Sequence, residues 1–416
     1  MRVRLACYLF IGLWPLSMAA QMPDHPITLR EALELLRANN PALAAGRLHL
    51  QATAANEITA RLRPNPVLSS ANEDFNVFDM PKLDPVNGQE YTENISELIE
   101  RGGKRRYRIQ SARLGTTVAQ QGYQDSQRQL EFQVKQAFVS MLLAKSNLEL
   151  ARQNLDDYKQ VVELNKFRAQ AGDISQTDFN RIRLQQARFE SDLLAAQLAL
   201  EQARTQLELL LGFRQLLPSF DIAGSLTNPE LSLDLQQLQN IALQNRPDYL
   251  GAKAASQKAA ADLNLAQAGG ATDVTVGTEY KRNGPANTLG VTFSVPLRIF
   301  DRNQGEKLRT SREFEASKAN ETAARNQVLS DVSQAYTAYK DALSLAQIYS
   351  RDYLQQARDV RDRIEFSYRN GGASLLEFLD AVRDYRDIYL ASAAASAQVL
   401  NAAHQLSFAT ATELLP

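Results

Sequence analysis

The chain has 416 residues, with 46 Lys and Arg against 47 Asp and Glu and a formal net charge of −1. That balance supplies no global basic field to hold nucleic acid. The single cysteine, Cys7, falls inside a leading apolar run, so the rest of the chain has neither disulfides nor thiolate metal sites.

The first predicted element is "MRVRLACYLFIGLWPLSMAAQ": two arginines, an apolar run from Leu5 to Leu16, then small residues. This is the form of a secretory signal over residues 1–19, with Ser17 and Ala19 placed for cleavage after Ala19. The run is shorter than the roughly 20 apolar residues that a spanning helix needs. No later segment reaches about 18 consecutive apolar residues either, which excludes ordinary transmembrane helices. An exported chain of this kind is periplasmic, secreted, or built into an outer membrane as β-strands.

From residue 20 the chain runs twice through one plan, and repeats are best sought before motifs. "ALELLRANNPALAAGRLHLQAT" (32–53) resembles "LQNIALQNRPDYLGAKAASQKA" (238–259), and "FRAQAGDISQTDF" (167–179) resembles "FSYRNGGASLLEF" (366–378), 199 positions on. The first copy (20–211) reads as a short helix, a Pro-punctuated helix over 41–62, a β-hairpin over about 65–99 and a long helical hairpin over about 104–211. Its strands fall at about 65–76 and 89–99, the second carrying Glu93 and Glu97 on the same face as Ile95.

That second strand runs into "ELIERGGKRRYRIQSA" (97–112), with five basic side chains at Arg101, Lys104, Arg105, Arg106 and Arg108 around a Gly-Gly pair. A phosphate cradle, a nucleic-acid patch and a junction beside a membrane surface all suit such a knot. The first needs a fuller pattern such as GxxxxGK[ST], which is missing.

The long helix that follows, about 104 to 168, places Leu130, Val134, Ala137, Met141, Ala144, Leu148, Ala151, Leu155, Tyr158 and Val162 at alternating spacings of four and three. A heptad seam this long implies coiled-coil packing. The helix would reach roughly 95–100 Å, while its return partner (174–211) covers about 57 Å and helix 41–62 about 33 Å. End to end, the two shorter helices nearly equal the long one.

Residues 212–234, "GFRQLLPSFDIAGSLTNPELSLD", are rich in Pro and Gly without periodicity and read as a linker. The second copy (235–416) then repeats the plan: a helix at 247–268, a β-hairpin over about 272–299 and a long helical hairpin over about 302–413. Its seam runs Val328, Val332, Ala335, Tyr339, Ala342, Ala346, Tyr349, Tyr353. Four helical columns follow, two continuous and two of stacked pieces. In the hairpin Val274, Val276 and Tyr280 alternate with polar residues, as do Leu289, Val291, Phe293, Val295 and Leu297. Two alternating runs joined by "NGPAN" fit a membrane-spanning hairpin better than the alternative, an ordinary half-buried one. Four strands cannot close a barrel, so spanning strands require several chains to share one.

In "TLREALELLRANNPAL", in the strand-to-helix junctions "LIERGGKR" and "PLRIFDRNQGE", in the Gly tips followed by "EFLDA" and in the duplicated plan, the sequence resembles the TolC-like outer-membrane efflux proteins over essentially the whole mature chain. Within that family "LIERGGKR" and the length are most similar to the outer-membrane component of cobalt–zinc–cadmium efflux pumps. The resemblance implies a mainly α fold: an internally duplicated, long α-helical coiled-coil barrel forming a periplasmic tunnel. That tunnel would be continuous with a 12-stranded β-barrel, four strands from each chain of a homotrimer, in the outer membrane of a Gram-negative cell. It implies an exit duct of a tripartite pump, passively conducting divalent heavy-metal cations, with outer-membrane lipid around it. A periplasmic adaptor (membrane fusion) protein and a proton-driven inner-membrane pump would be its partners, with no cofactor and no nucleic acid. The same duct could instead export organic compounds or drugs. A reading of another class is a soluble periplasmic coiled-coil adaptor, although adaptors usually carry one helical hairpin where this chain has two.

Three groups of residues acquire roles in this picture. Arg101, Gly102, Gly103, Lys104 and Arg105, with Asp301 and Gly305 in the second copy, mark the barrel–helix junction, where cations can meet lipid phosphates. Gly172, Asp173 and Ser175, and Gly371, Gly372 and Ser374, form the helical tips. Glycine reverses the chain there and Ser or Asp caps the next helix, and the resemblance adds adaptor docking. Glu377 and Asp380 are three apart and share a helix face; by resemblance they ring the periplasmic aperture, with Tyr368 as a gate-linking aromatic. The first copy has Asp178 but places Arg181 where the second acid would stand. In a trimer the pair gives six carboxylates that favour cations, although any solvated acidic face looks the same. Catalysis and metal ligation find no support: His25, His49 and His404 are scattered, and no HExxH or GxSxG occurs.

Overall fold

A computed structural model describes residues 25–74, 89–213, 220–231, 234–349 and 351–415. The segment 1–19 expected as a signal lies outside the described residues, as do parts of the first hairpin and of the linker. Each element begins where its local chemistry places it. α1 (Leu29–Asn39) opens with a capping box between Thr28 and Glu31, and α2 (Pro41–Arg61) starts at a proline whose absent N–H costs nothing there, under an Asn40 cap. β1 (Val67–Glu73) and β2 (Glu90–Ile99) lead into α3 (Lys104–Ala171), 68 residues long and so about 100 Å. α4 (Gln176–Leu211) returns along it.

The second copy gives α5 (Leu235–Asn245), α6 (Pro247–Ala268), β3 (Val274–Asn283), β4 (Ala286–Ser294), α7 (Gln304–Ile348), α8 (Arg351–Arg369) and α9 (Leu375–Thr410). One expectation fails here. The second long helix is not continuous, because it breaks at Tyr349 (φ −90°, ψ 42°). The seam residues Val328, Val332, Ala335, Tyr339, Ala342 and Ala346 are buried as the heptads require, but beyond the break Tyr353 is turned outward. Neither Pro nor Gly marks the site, so the sequence carries no breaker to read.

The strands form one antiparallel sheet in the order β1-β2-β3-β4, and its central pair, β2 with β3, joins the two copies. Register sorts the side chains by face. Leu68, Ile95, Thr278 and Val291 lie in one row, and Glu97, Val276 and Phe293 in another, while Asn94, Glu279 and Thr292 point the opposite way. One face is therefore apolar and solvent-facing in the single chain, interrupted by Glu93, which accepts a hydrogen bond from Ser70 Oγ at 2.7 Å, and by Glu97. The outer edges of β1 and β4 have no partner strand among the described residues.

The core is a chain of apolar clusters along the helices. Val134, Ala137, Met141, Leu207 and Leu211 hold the first copy's middle, Val332, Tyr339, Val399 and Leu406 the second's, and Leu155, Tyr158, Phe189 and Phe378 the end remote from the sheet. The linker is clipped to both copies. Ile27 and Ile222 form a parallel bridge, Lys145 binds the Asp221 carboxylate at 2.7 Å, and Tyr339 donates to the Pro229 carbonyl at 2.6 Å.

Candidate functional site

Two places gather the side chains singled out in sequence. At the remote end, α3 turns into α4 through Gly172 (φ 86°) and α8 into α9 through Gly371 (φ 79°), the left-handed conformation that glycine adopts at least cost. The Asp173 N–H donates to the Arg168 carbonyl at 2.9 Å and the Gly372 N–H to the Ser367 carbonyl at 2.8 Å, so one turn is built twice. Gly372 itself has no left-handed φ, and its counterpart is an aspartate.

The acids of the tips are committed to helix starts. The Asp178 N–H donates to Ser175 Oγ at 3.0 Å, and that hydroxyl donates to Asp178 Oδ2 at 2.7 Å. In the second tip Ser374 and Glu377 form a full capping box: the Ser374 N–H donates to Glu377 Oε2 at 2.7 Å and its hydroxyl donates to the same oxygen at 2.8 Å. Those two bonds, the backbone one first, hold the Glu377 carboxyl below its ordinary range. Asp380, one turn on, is exposed and has no side-chain partner among the described residues, whereas Asp178 has Arg181 at 3.9 Å. The pair expected to act together is thus divided, and Asp380 is the acid left with an uncompensated charge.

Tyr368 is buried between the hairpins. Its hydroxyl donates to Asn165 Oδ1 at 3.0 Å and its ring stacks on Phe378 at 5.3 Å between centroids, while burial pushes its phenol up. Arg168 donates to the Arg369 carbonyl at 2.9 Å, and Arg369 to Gln160 at 3.0 Å. Farther along, buried Arg361 stacks on Tyr385 at 4.4 Å and lies 4.0 Å from Asp157, whose carboxyl is pushed up by burial and then by Glu365. The seam between the first hairpin and α8 is therefore spanned by long polar side chains.

Sequence reasoning missed Asn165, Arg168 and Arg369, and two exposed aromatics, Phe167 (65%) and Phe366 (71%). The 199-residue offset, which equates Phe167 with Phe366, was the signal that could have found them.

The second place is the strand-to-helix junction. Gly102 (φ 71°) and Gly103 (φ 76°) make the turn from β2 to α3, and a side chain on Gly102 would collide with Ala271 at 2.7 Å. Three of the cations beside them, Lys104, Arg105 and Arg108, are spent inside the protein. Arg105 donates through Nε and Nη2 to the Arg61 carbonyl at 2.8 and 2.6 Å, and Arg108 to the Leu62 carbonyl at 3.0 Å and to Glu100. Lys104 donates to the Ala271 carbonyl at 2.8 Å and to Asp273 at 2.7 Å, while Arg101 gives its backbone N–H to Asp273 at 2.9 Å. These contacts satisfy the last carbonyls of α2 and the turn after α6, so Lys104 and Arg105 are not the free lipid-facing cations expected. In the second copy Gly305 already lies inside α7 and a side chain there would meet nothing within 4 Å. The left-handed residue is Asn303 (φ 65°), and the Asp301 carboxylate accepts its N–H at 2.8 Å.

Among the described residues no group of three His, Cys, Asp or Glu is placed to hold a metal, and no helix is long and apolar enough to cross a membrane. The family model described as outer membrane efflux protein matches residues 32–213 and 238–412. The cobalt-zinc-cadmium resistance protein CzcC of Cupriavidus metallidurans is 28% identical over 367 residues, covering 86% of this chain and 84% of that one. The structure of CusC superposes with a TM-score of 0.75 at 20% identity, over 92% and 91% of the two chains. The open state of the MtrE channel of Neisseria gonorrhoeae gives 0.74 at 15%, over 93% and 89%.

Proposed function

We propose, from the premise that this chain belongs to the outer membrane efflux protein family, that it is an exit duct whose cargo is divalent heavy-metal cations. The protein is an outer-membrane efflux channel of a tripartite pump with a periplasmic helical tunnel, and not an enzyme. The soluble adaptor reading falls with that membership.

The observation that carries the duct is the four-stranded sheet, apolar on one face and open at both edges, continuous through a two-glycine turn with a helix of about 100 Å. Open edges in lipid leave backbone groups unsatisfied. Three copies joined β1 to β4 would satisfy them, which supports a homotrimer. The two tip turns, with Phe167 and Phe366 beside them, are the surfaces we assign to the periplasmic adaptor, behind which stands an inner-membrane pump. Glu377, Asp380, Tyr368 and Asp178 are assigned to the aperture, Asp380 supplying its charge and Tyr368 its strut.

The metal cargo is supported by the likeness to CzcC and by the free carboxylate of Asp380, which draws cations toward a narrow opening. Selection and energy would rest with the partners. Growth inhibition of a strain lacking this chain tests the cargo, with zinc, cadmium and cobalt salts set beside dyes, detergents and antibiotics. Sensitivity confined to the metals is expected. Sensitivity to the organic compounds alone would keep the duct and overturn the cargo.

A further inference from the structure

The three most exposed large apolar side chains among the described residues are Phe300 (89%), Leu289 (83%) and Leu297 (81%), and all three lie on β4 or the segment that follows it. Leu289, Val291 and Phe293 belong to the apolar face of β4. The paired strand ends at Ser294, yet the alternation runs on through Val295, Leu297 and Ile299 before Phe300 and the start of α7. Among the described residues no strand accompanies this extension, and its apolar side chains stand out from the edge of the sheet nearest the helices.

Two cations are interleaved with it. Arg302 is exposed and its guanidinium has no partner among the described residues, and Arg298 is half-buried. The nearby acids are largely engaged: Asp301 accepts the Asn303 N–H, Glu306 is paired with Arg309, and Asp273 holds Lys104 while also feeling the Arg298 charge, which leaves Arg302 the freer of the two cations. The first copy keeps an exposed arginine at this point, Arg101, but has no such apolar extension beside it. There Leu98 and Ile99 are less exposed, the chain turns at once through Gly102 and Gly103, and Arg105 and Arg108 are consumed by carbonyls. The two copies therefore end their hairpins differently, one closed on itself and one open.

We propose that the segment Val295–Arg302 is a binding site for an anionic phospholipid of the membrane leaflet on the helix side. Its acyl chains lie on Leu297 and Phe300, continuing the apolar face of β4, and its phosphate is held by Arg298 and Arg302. Guanidinium forks match phosphate oxygens geometrically, and an apolar strip bounded by cations belongs at the depth where acyl chains give way to headgroups. The proposal rests on the outer-membrane reading and relocates the lipid contact from the cluster at Lys104 and Arg105 to the second copy.

The test titrates the purified full-length protein in detergent with phosphatidylglycerol, phosphatidylethanolamine or inorganic phosphate, and counts retained lipid by native mass spectrometry. The intact protein is expected to retain phosphatidylglycerol in preference to the other two. R298Q/R302Q is expected to bind it roughly 30-fold more weakly, at about 1 kcal/mol for each arginine near a lipid surface. R183Q/R188Q, at two exposed arginines of α4 away from the sheet, is expected to bind as the intact protein does. Equal retention by R298Q/R302Q overturns the proposal, and so does equal competition by inorganic phosphate, which would mean a plain anion site. If L297S/F300S instead breaks the oligomer apart in detergent with lipid retention unchanged, a second copy covers the strip and the proposal falls. Fractionation of the intact protein away from the outer membrane would refute the localisation itself, independently of these arms.

Discussion

The hydroxyl of Tyr368 donates to Oδ1 of Asn165 at 3.0 Å, tying together two helices 203 residues apart in sequence. Asn165 is itself buried and gives its amide N–H to the Val161 carbonyl at 2.7 Å, so both of its polar ends are used. Tyr368→Phe keeps the stacking on Phe378 and removes the tie, leaving a buried acceptor unpaired at a cost of about 1–3 kcal/mol per protomer. Single-channel recording in planar bilayers is expected to show longer or larger openings for this variant. An unchanged current distribution would reduce Tyr368 to packing.

The division of labour between Glu377 and Asp380 makes a second expectation. Asp380→Asn removes the acid with no partner and is expected to lower cation preference, read as a reversal potential across a KCl gradient. Glu377→Gln leaves a side chain that can still cap Ser374 and is expected to change selectivity less. Because the Glu377 carboxyl titrates below its ordinary value of 4.5, its cap stabilises above that value and is lost as the pH falls through the lower one. A larger selectivity change from Glu377→Gln would mean that the capping carboxylate, not Asp380, faces the permeating ion.

Much of this was legible in the sequence because heptads and strand alternation report packing directly. The seam from Val134 to Val162 is buried almost as read, and α6 and β2 start and stop within a residue or two of expectation. What stayed hidden depends on which atom a polar side chain finds. Arg105 and Arg108 look like surface cations until the Arg61 and Leu62 carbonyls are seen to end beneath them. The break at Tyr349 has no helix-breaking residue to announce it. Glu377 reads as a channel acid and as a capping acid equally well, since S-x-x-E serves both.

The junction of the second copy separates residue type from conformation. Gly305 was aligned with the glycines of the first copy, but the left-handed position is Asn303. Gly305→Ala is therefore expected to be neutral or to stabilise α7 by up to about 1 kcal/mol through helix propensity. Asn303→Val, β-branched at a positive φ and without the amide that donates to the Ala266 carbonyl at 2.7 Å, is expected to destabilise. Thermal unfolding of the two variants checks both signs. A loss on Gly305→Ala larger than that on Asn303→Val would mean that Gly305 is needed for close approach by a neighbouring chain.

His404 is expected to contribute to the acid response of the helical body. It is buried in α9 beside Lys135, which is paired with Glu413, and its Nδ1 has no hydrogen-bond partner. Burial, and then the Lys135 charge, lower its pKa to about 4 from 6.5. In the unfolded chain the imidazole takes up a proton below about 6.5, while in the folded protein it stays neutral down to about 4. Between those values the unfolded state binds more protons, so stability is complete above the unfolded value and falls with the pH across that window. The full excursion amounts to about 3 kcal/mol per protomer at about 1.4 kcal/mol per pH unit. His404→Gln, of similar size and not ionisable, is expected to flatten this part of the curve. The check is the unfolding midpoint of the two proteins at a series of pH values from neutral down to about 4. A slope that survives the substitution would assign the acid response to carboxylates that the fold holds low, with Asp248, whose carboxyl burial pushes up but the Arg246 guanidinium keeps below its ordinary range, the next group to replace.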